Sequence, residues 1–85
     1  MRKTEDLLAE REKTHGSIVE TLKRAGDAMN ALQADDLEPT LHMAISQILL
    51  KLARITNGDP YFADHWEDVA GYATGAYQYV ECHKK

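Results

Sequence analysis

The segment from Pro39 to about Thr56 constrains the fold most, because it carries apolar residues on two sides of a helix. Its main seam steps along the helix by about one turn at a time: Leu41, Ile45, Ile48, Leu52 and Ile55. Met43 and Leu50 lie on a second stripe, roughly opposite the first. Apolar stripes on two sides indicate burial on two sides, by another helix of the same chain and by another subunit. This segment therefore predicts an all-α protein that assembles as a homo-oligomer.

A second helix is predicted over residues 17–33. Ser17 followed by Glu20 is a capping box, which starts a helix at Ser17. The narrow apolar seam of this helix is typical of lengthwise packing against another helix: Ile18, Leu22, Ala25, Met29 and Leu32. A short helix over 3–13 precedes it, and Gly16 separates the two at a break where a positive φ is permitted.

The last helix is predicted over residues 65–82, after a capping box formed by Asp64 and Glu67. One face of this helix repeats at intervals that indicate the core: Trp66, Val69, Ala73, Ala76 and Val80. Polar and aromatic residues flank that face, at the edge between core and water: His65, Asp68, Tyr72 and Tyr79. Gly71 and Gly75 destabilise a helix interior, so we expect another backbone to approach them closely.

The complete prediction is a single α-helical domain over residues 1–85, with a compact three-helix architecture and a short extra N-terminal helix. The four helices are expected at approximately 3–13, 17–33, 39–56 and 65–82. Asn57 and Gly58 should end the third helix, with Gly58 in the left-handed conformation. A chain this short buries only a modest share of its surface, and association with further copies is a common remedy.

Charge and cysteine content exclude several function classes. The formal net charge of −4 disfavours a general nucleic-acid binder, which needs a concentrated basic face. No apolar run is long enough to span a membrane, and no signal peptide is evident. The lone cysteine, Cys82, cannot form an internal disulfide, so a reducing cytoplasm is expected.

Two cations on the third predicted helix are the best candidates for binding a ligand. Lys51 and Arg54 are one turn apart, and two such cations can converge on one phosphate. The alternative is a solvated face or a salt bridge to an acid of the last helix. The polar-aromatic flank of that helix would shape the pocket, and the N-terminal region would add donors. The predicted ligand-binding residues are Arg11, Thr14, His15, Lys51, Arg54, His65, Trp66, Asp68 and Tyr72.

The first alternative function is a metal-dependent phosphohydrolase. All-α nucleoside-triphosphate pyrophosphohydrolases of the MazG type hold Mg²⁺ with paired acids on two facing helices. Asp64, Glu67 and Asp68 could form one such cluster, but the facing helix has no acid in its body. Helix capping is the simpler interpretation of Asp64 and Glu67. No catalytic nucleophile, zinc-ligand spacing or cofactor motif is evident, so Mg²⁺ enters only under this alternative.

Several fragments together resemble a family of small phage and prophage proteins of unknown function. The fragments are Ala9-Glu10-Arg11-Glu12-Lys13-Thr14-His15-Gly16, Lys51-Leu52-Ala53-Arg54-Ile55, Gly58-Asp59-Pro60 and Asp64-His65-Trp66-Glu67-Asp68-Val69-Ala70-Gly71-Tyr72-Ala73. The resemblance implies a phage-encoded helical protein in the cytoplasm of a bacterial host, without an established activity. That family often has an acid near position 46, where this chain has Ser46. The departure weakens the metal-enzyme alternative.

Three hypotheses follow. The first is a homo-oligomeric binding module that holds a small anionic ligand between helices or subunits, plausibly a nucleotide or a nucleotide-derived immune signal that a phage would sequester. The second is the Mg²⁺-dependent pyrophosphohydrolase, active or degenerate. The third is an inhibitor that binds a host protein through the Met43 and Leu50 stripe and the Gly71 and Gly75 patch, without a small ligand.

Overall fold

The computed structural model describes residues 16–84, which form three α-helices and one short 3-10 helix. Helix α1 is Ile18–Ala31, the 3-10 helix is Ala34–Asp36, α2 is Pro39–Asn57 and α3 is Ala63–His83. No strand occurs within this part of the chain, so the predicted all-α class is confirmed. The helix expected over 3–13 lies outside the described residues. None of the described helices combines the length and apolar character that crossing a membrane requires.

Helix α1 begins as its sequence predicts. Ser17 is the N-cap, and its Oγ accepts a hydrogen bond from the backbone N–H of Glu20 at 3.4 Å. The Glu20 carboxylate does not return to the cap, because it pairs with the Nε of Arg24 at 2.8 Å. Arg24 also donates from Nη1 to the Thr56 hydroxyl of α2 at 3.2 Å. The capping box is therefore half formed, and its acid helps to tie α1 to α2.

Helix α2 begins at Pro39, where the missing backbone N–H costs nothing. Glu38 is the N-cap, and its carboxylate accepts from the backbone N–H of Leu41 at 3.1 Å. The Tyr79 hydroxyl of α3 donates to the same carboxylate at 3.1 Å. One acid thus caps α2 and fixes the position of α3 beside it.

Helix α2 is central, since α1 and α3 both pack on it and have no interface with each other within residues 16–84. Two helices of the same chain therefore lie against α2, so its two apolar stripes do not by themselves require a second subunit. Leu50 of the second stripe is half-buried, whereas Met43 is 57% exposed. Assembly into a homo-oligomer stays a prediction.

The predicted apolar seam of α1 is only partly buried. Ala25 is buried as expected, but Ile18, Leu22 and Leu32 remain exposed. Thr21 is buried in their place, and its hydroxyl accepts from the Asn57 amide of α2 at 3.4 Å. The face that α1 presents to α2 is therefore rotated away from the seam, because hydrogen bonding to Asn57 anchors Thr21.

The beginning and the buried face of α3 differ from the prediction. The helix starts at Ala63 with Phe62 as N-cap, and no side chain caps it, so the proposed capping box of Asp64 and Glu67 is wrong. His65 is 1% exposed, while Trp66, the expected core residue, is 51% exposed. The helix thus turns a face beginning at His65 towards the interior.

The turn before α3 explains why Trp66 lies outside. The Asp59 carboxylate accepts from the Tyr61 backbone N–H at 2.9 Å, which closes a tight turn around Pro60. The Trp66 indole donates from Nε1 to the Pro60 carbonyl at 2.7 Å. The tryptophan is therefore used to hold the turn against the start of α3, which leaves the interior to His65.

The corner where the chain enters α1 is closed by the end of α2. Gly58 caps α2 by donating to the Arg54 carbonyl at 2.8 Å, but its φ of −125° is not left-handed, so that prediction is wrong. The left-handed glycine of this corner is Gly16, with φ of +75°. A Cβ there would overlap the Asn57 carbonyl oxygen. The Asn57 amide also donates to the Ser17 carbonyl at 3.1 Å, which fixes the corner.

Candidate functional site

Helices α2 and α3 run antiparallel and form a long crease between them. Glu38 meets Tyr79 at one end, and Lys51 meets Asp68 further along. These two contacts fix the register of the helices. Moving one turn along α2 and one turn back along α3 therefore leads from one facing pair of residues to the next. We call this surface the α2–α3 crease, and we call each facing pair of residues a level of the crease. Three successive levels are Gln47 with Tyr72, Lys51 with Asp68, and Arg54 with His65.

A groove of about 240 Å³ opens into the crease on one side of the Lys51 level. The surface of the groove is mostly apolar, and its polar side chains are those of Thr40, Gln47 and Tyr72. The other lining residues are Met43, Ala44, Gly71, Gly75 and Ala76. A Cβ at Gly71 or Gly75 would meet no atom within 4 Å, so no other described backbone packs on these glycines as the sequence had suggested. Their missing side chains keep the groove open instead. The volume is below the roughly 300–1,000 Å³ of drug-sized pockets, which suits a single ring system.

The Lys51–Asp68 ion pair lies one turn beyond the groove. Lys51 Nζ is 2.9 Å from Asp68 Oδ2, and the lysine side chain is 14% exposed against 46% for the aspartate. The alternative interpretation of Lys51, a salt bridge to an acid of the last helix, is therefore confirmed. An ammonium group carries three donors, so Lys51 keeps donors beyond the one directed at Asp68.

Arg54 and His65 occupy the next level of the crease. Arg54 is half-buried, and His65 lies in the interior with its ring edge against Phe62, at a centroid distance of 4.9 Å. Both residues have further interactions within the chain. His65 is thus a packing residue of the helix interface, and its expected position at the edge between core and water is wrong.

The remaining predicted residues divide into three groups. Tyr72 lines the groove and is 38% exposed. Trp66 does not line it, because its indole is bound to the Pro60 carbonyl on the outer side of α3. Arg11, Thr14 and His15 lie outside the described residues.

The metal alternative gains no support from the described part of the chain. Within residues 16–84, no three histidine, cysteine or acidic side chains come close enough together to hold a metal ion. Asp68 is already in contact with a lysine ammonium, whose charge opposes a cation at the same carboxylate. Asp64 and Glu67 are exposed on α3.

A second cavity of about 470 Å³ lies next to the groove, at the Glu38–Tyr79 end of the crease. Its walls include the carboxylate-bearing Glu38, which accepts from Tyr79, together with Val80 and His83. The lining of this cavity includes one carboxylate, from Glu38, and one ammonium group, from Lys84, whereas neither kind of group lines the first groove.

Of the groove residues, Thr40 and Gln47 were not predicted to bind a ligand, whereas Met43, Gly71 and Gly75 were assigned only to a surface for a host protein. The two glycines, four residues apart on α3, were also interpreted as a backbone contact. Which residues of α2 face them depends on the register of two helices, which no local pattern encodes.

Comparison with known families gave one match. A family described as "Domain of unknown function (DUF6378)" matches residues 1–79 of the chain. The comparisons with curated proteins and with solved structures gave no match.

Proposed function

We propose that this chain, which belongs to the DUF6378 family, binds a small anionic ligand in the α2–α3 crease. The observation that carries the proposal is the apolar groove beside Tyr72, followed one turn later by the half-buried ammonium of Lys51. A ligand that combines a planar ring with a phosphate has the matching chemistry. A nucleotide or a nucleotide derivative is such a ligand.

The walls of the groove fit the ring of such a ligand. Tyr72 supplies an aromatic face and Met43 a polarizable thioether, both of which favour contact with a flat ring. The Gln47 amide and the Thr40 hydroxyl supply donors and acceptors for its edge. Phosphate at the Lys51 level would receive charge-assisted hydrogen bonds, which are about twice as strong as neutral ones.

The proposal is binding without chemical conversion. Asp68, the acid at the Lys51 level of the crease, forms an ion pair with Lys51 and so helps to hold the ammonium group in place. The resemblance to phage and prophage proteins supports a phage-encoded protein that acts in a bacterial host. In that setting, a nucleotide-derived immune signal is the ligand we propose it sequesters.

Titration calorimetry with a panel of mono-, di- and cyclic nucleotides tests this function. We expect at least one of them to bind, and Lys51→Met to weaken that binding about 10- to 100-fold, since a hydrogen bond to a charged group contributes ~1.5–3 kcal/mol. Lys23→Met is the matched control. It removes an exposed lysine that also pairs with an aspartate, at 3.4 Å, but lies on α1 away from the crease.

Two results would contradict the proposal. One is the absence of heat with every nucleotide at millimolar concentration, which would favour the host-protein hypothesis. The other is an equal loss of affinity in Lys51→Met and Lys23→Met, which would mean that net charge acts rather than the crease. Circular dichroism of each variant confirms that its helices remain folded.

A further inference from the structure

We propose that Gly71 and Gly75 of α3 are specificity-determining residues of the groove, because they let a flat ring lie directly against the helix backbone. The inference rests on the proposed function and names the part of the ligand that the groove selects. A nucleotide should be accepted through its planar base, whereas a sugar phosphate without a base should gain little from the groove.

The described packing gives no reason for glycine at either position. Both residues lie inside α3, where glycine destabilises a helix relative to alanine. A Cβ at either position would meet no atom of the described residues within 4 Å, so no neighbour requires the small residue. Neither has the positive φ that favours glycine, since Gly16 is the positive-φ glycine of the described chain. The two glycines therefore fit a role in the groove better than a role in folding.

The position of the glycines in the groove supports that role. They are four residues apart, so they lie one turn apart on the same face of α3, and both line the groove of about 240 Å³. The other wall belongs to α2, where Met43 and Gln47 are also one turn apart. An alanine methyl group at either glycine would take up open space at the wall of the groove. Glycine instead exposes the backbone itself, which permits close approach of a ligand.

The two ends of the site recognise different parts of the ligand. The Lys51 ammonium acts as a point charge, so it attracts a phosphate whatever group the phosphate carries. Selection of that group therefore falls to the groove. The described hydrogen-bond partner of the Gln47 amide is the Met43 thioether at 3.8 Å, a weak acceptor, so the amide can still pair with the edge of a ring. An aliphatic chain would fill the groove without using this amide, which favours a base.

Titrations of the full chain with nucleotides and with ribose 5-phosphate test the inference. Ribose 5-phosphate has the sugar and the phosphate of a nucleotide but lacks the base. The probes are the mono-, di- and cyclic nucleotides of the panel described above, and NMR titration measures the weaker affinities. The wild type should bind at least one nucleotide about 10-fold or more tightly than ribose 5-phosphate, since stacking of a base adds that much affinity.

The alanine variants should separate stability from binding. Gly71→Ala and Gly75→Ala should each weaken binding of that nucleotide about 10-fold or more, because an added methyl group overpacks the occupied groove. Their affinity for ribose 5-phosphate should not change. Both variants should melt at a temperature up to about 8 °C higher than the wild type, because alanine favours the helix. Loss of binding in a more stable protein cannot come from unfolding.

Gly26→Ala is the matched control. Gly26 lies inside α1, and a Cβ there also meets no atom of the described residues within 4 Å, but this glycine does not line the groove. The substitution should give the same increase in melting temperature and leave nucleotide binding unchanged.

Two results would overturn the inference and leave the proposed function in place. One is unchanged nucleotide affinity in both Gly71→Ala and Gly75→Ala, which would return these glycines to a contact with another protein. The other is equal affinity of the wild type for nucleotide and ribose 5-phosphate. A wild type that binds no nucleotide of the panel would overturn both proposals, so the two failures are distinguishable.

Discussion

Replacing Gly16 with alanine is expected to lower the free energy of unfolding by about 3 kcal/mol. Gly16 is buried and has φ of +75°, a conformation that costs an L-residue ~1–2 kcal/mol. The new Cβ would also overlap the Asn57 carbonyl oxygen, which is backbone at the end of α2 and cannot move as a side chain does. Thermal unfolding should show a melting temperature lower by about 15 °C.

Gly71→Ala is the matched control for this experiment. Gly71 lies inside α3, and a Cβ there meets no atom within 4 Å. Alanine should therefore raise stability by up to ~1 kcal/mol through helix propensity alone. If both substitutions had the same effect, the corner of Gly16, Ser17 and Asn57 would not have the geometry described above.

The positions of the helices could be predicted from the sequence, because local signals determine them. Ser17 caps α1 through its own side chain, and Pro39 fits only the first turn of α2. The left-handed position of Gly16 was also predictable, since few other residues adopt it. Gln33, with φ of 56°, could not be identified in this way, because glutamine is unusual in that conformation.

The residues of the candidate site could be predicted only where the spacing within a single helix identifies them. Lys51, Asp68 and Tyr72 were identified from spacing within their own helices, and all three lie on the α2–α3 crease. Thr40 and Gln47 were not predicted as ligand-binding residues, because their place in the groove depends on the register between α2 and α3. The contacts that fix this register, such as Tyr79 with Glu38, join residues 41 positions apart. No local periodicity carries that information.

The choice between two faces of α3 leads to the second large prediction. Two overlapping faces are compatible with the pattern, one beginning at Trp66 and the other at His65, and Val69 and Ala76 belong to both. Apolar content favours the first, and the structure has the second. The difference is associated with a hydrogen bond between the Trp66 indole and the Pro60 carbonyl six residues earlier, which holds the ring on the outer side of α3.

His65→Ala should therefore destabilise the protein by about 3 kcal/mol, because it empties an interior position between α3 and its neighbours. Trp66→Ala removes a larger side chain but should cost only about 1.5 kcal/mol, from one hydrogen bond and a half-exposed ring. Urea unfolding of the two variants under identical conditions measures both values. The order of the two losses of stability is the decisive result. If α3 buried the face that begins at Trp66, the tryptophan substitution would be the more destabilising one. In that case, Asp68 would also be rotated away from Lys51. The α2–α3 crease therefore depends on His65 being the residue that faces inward.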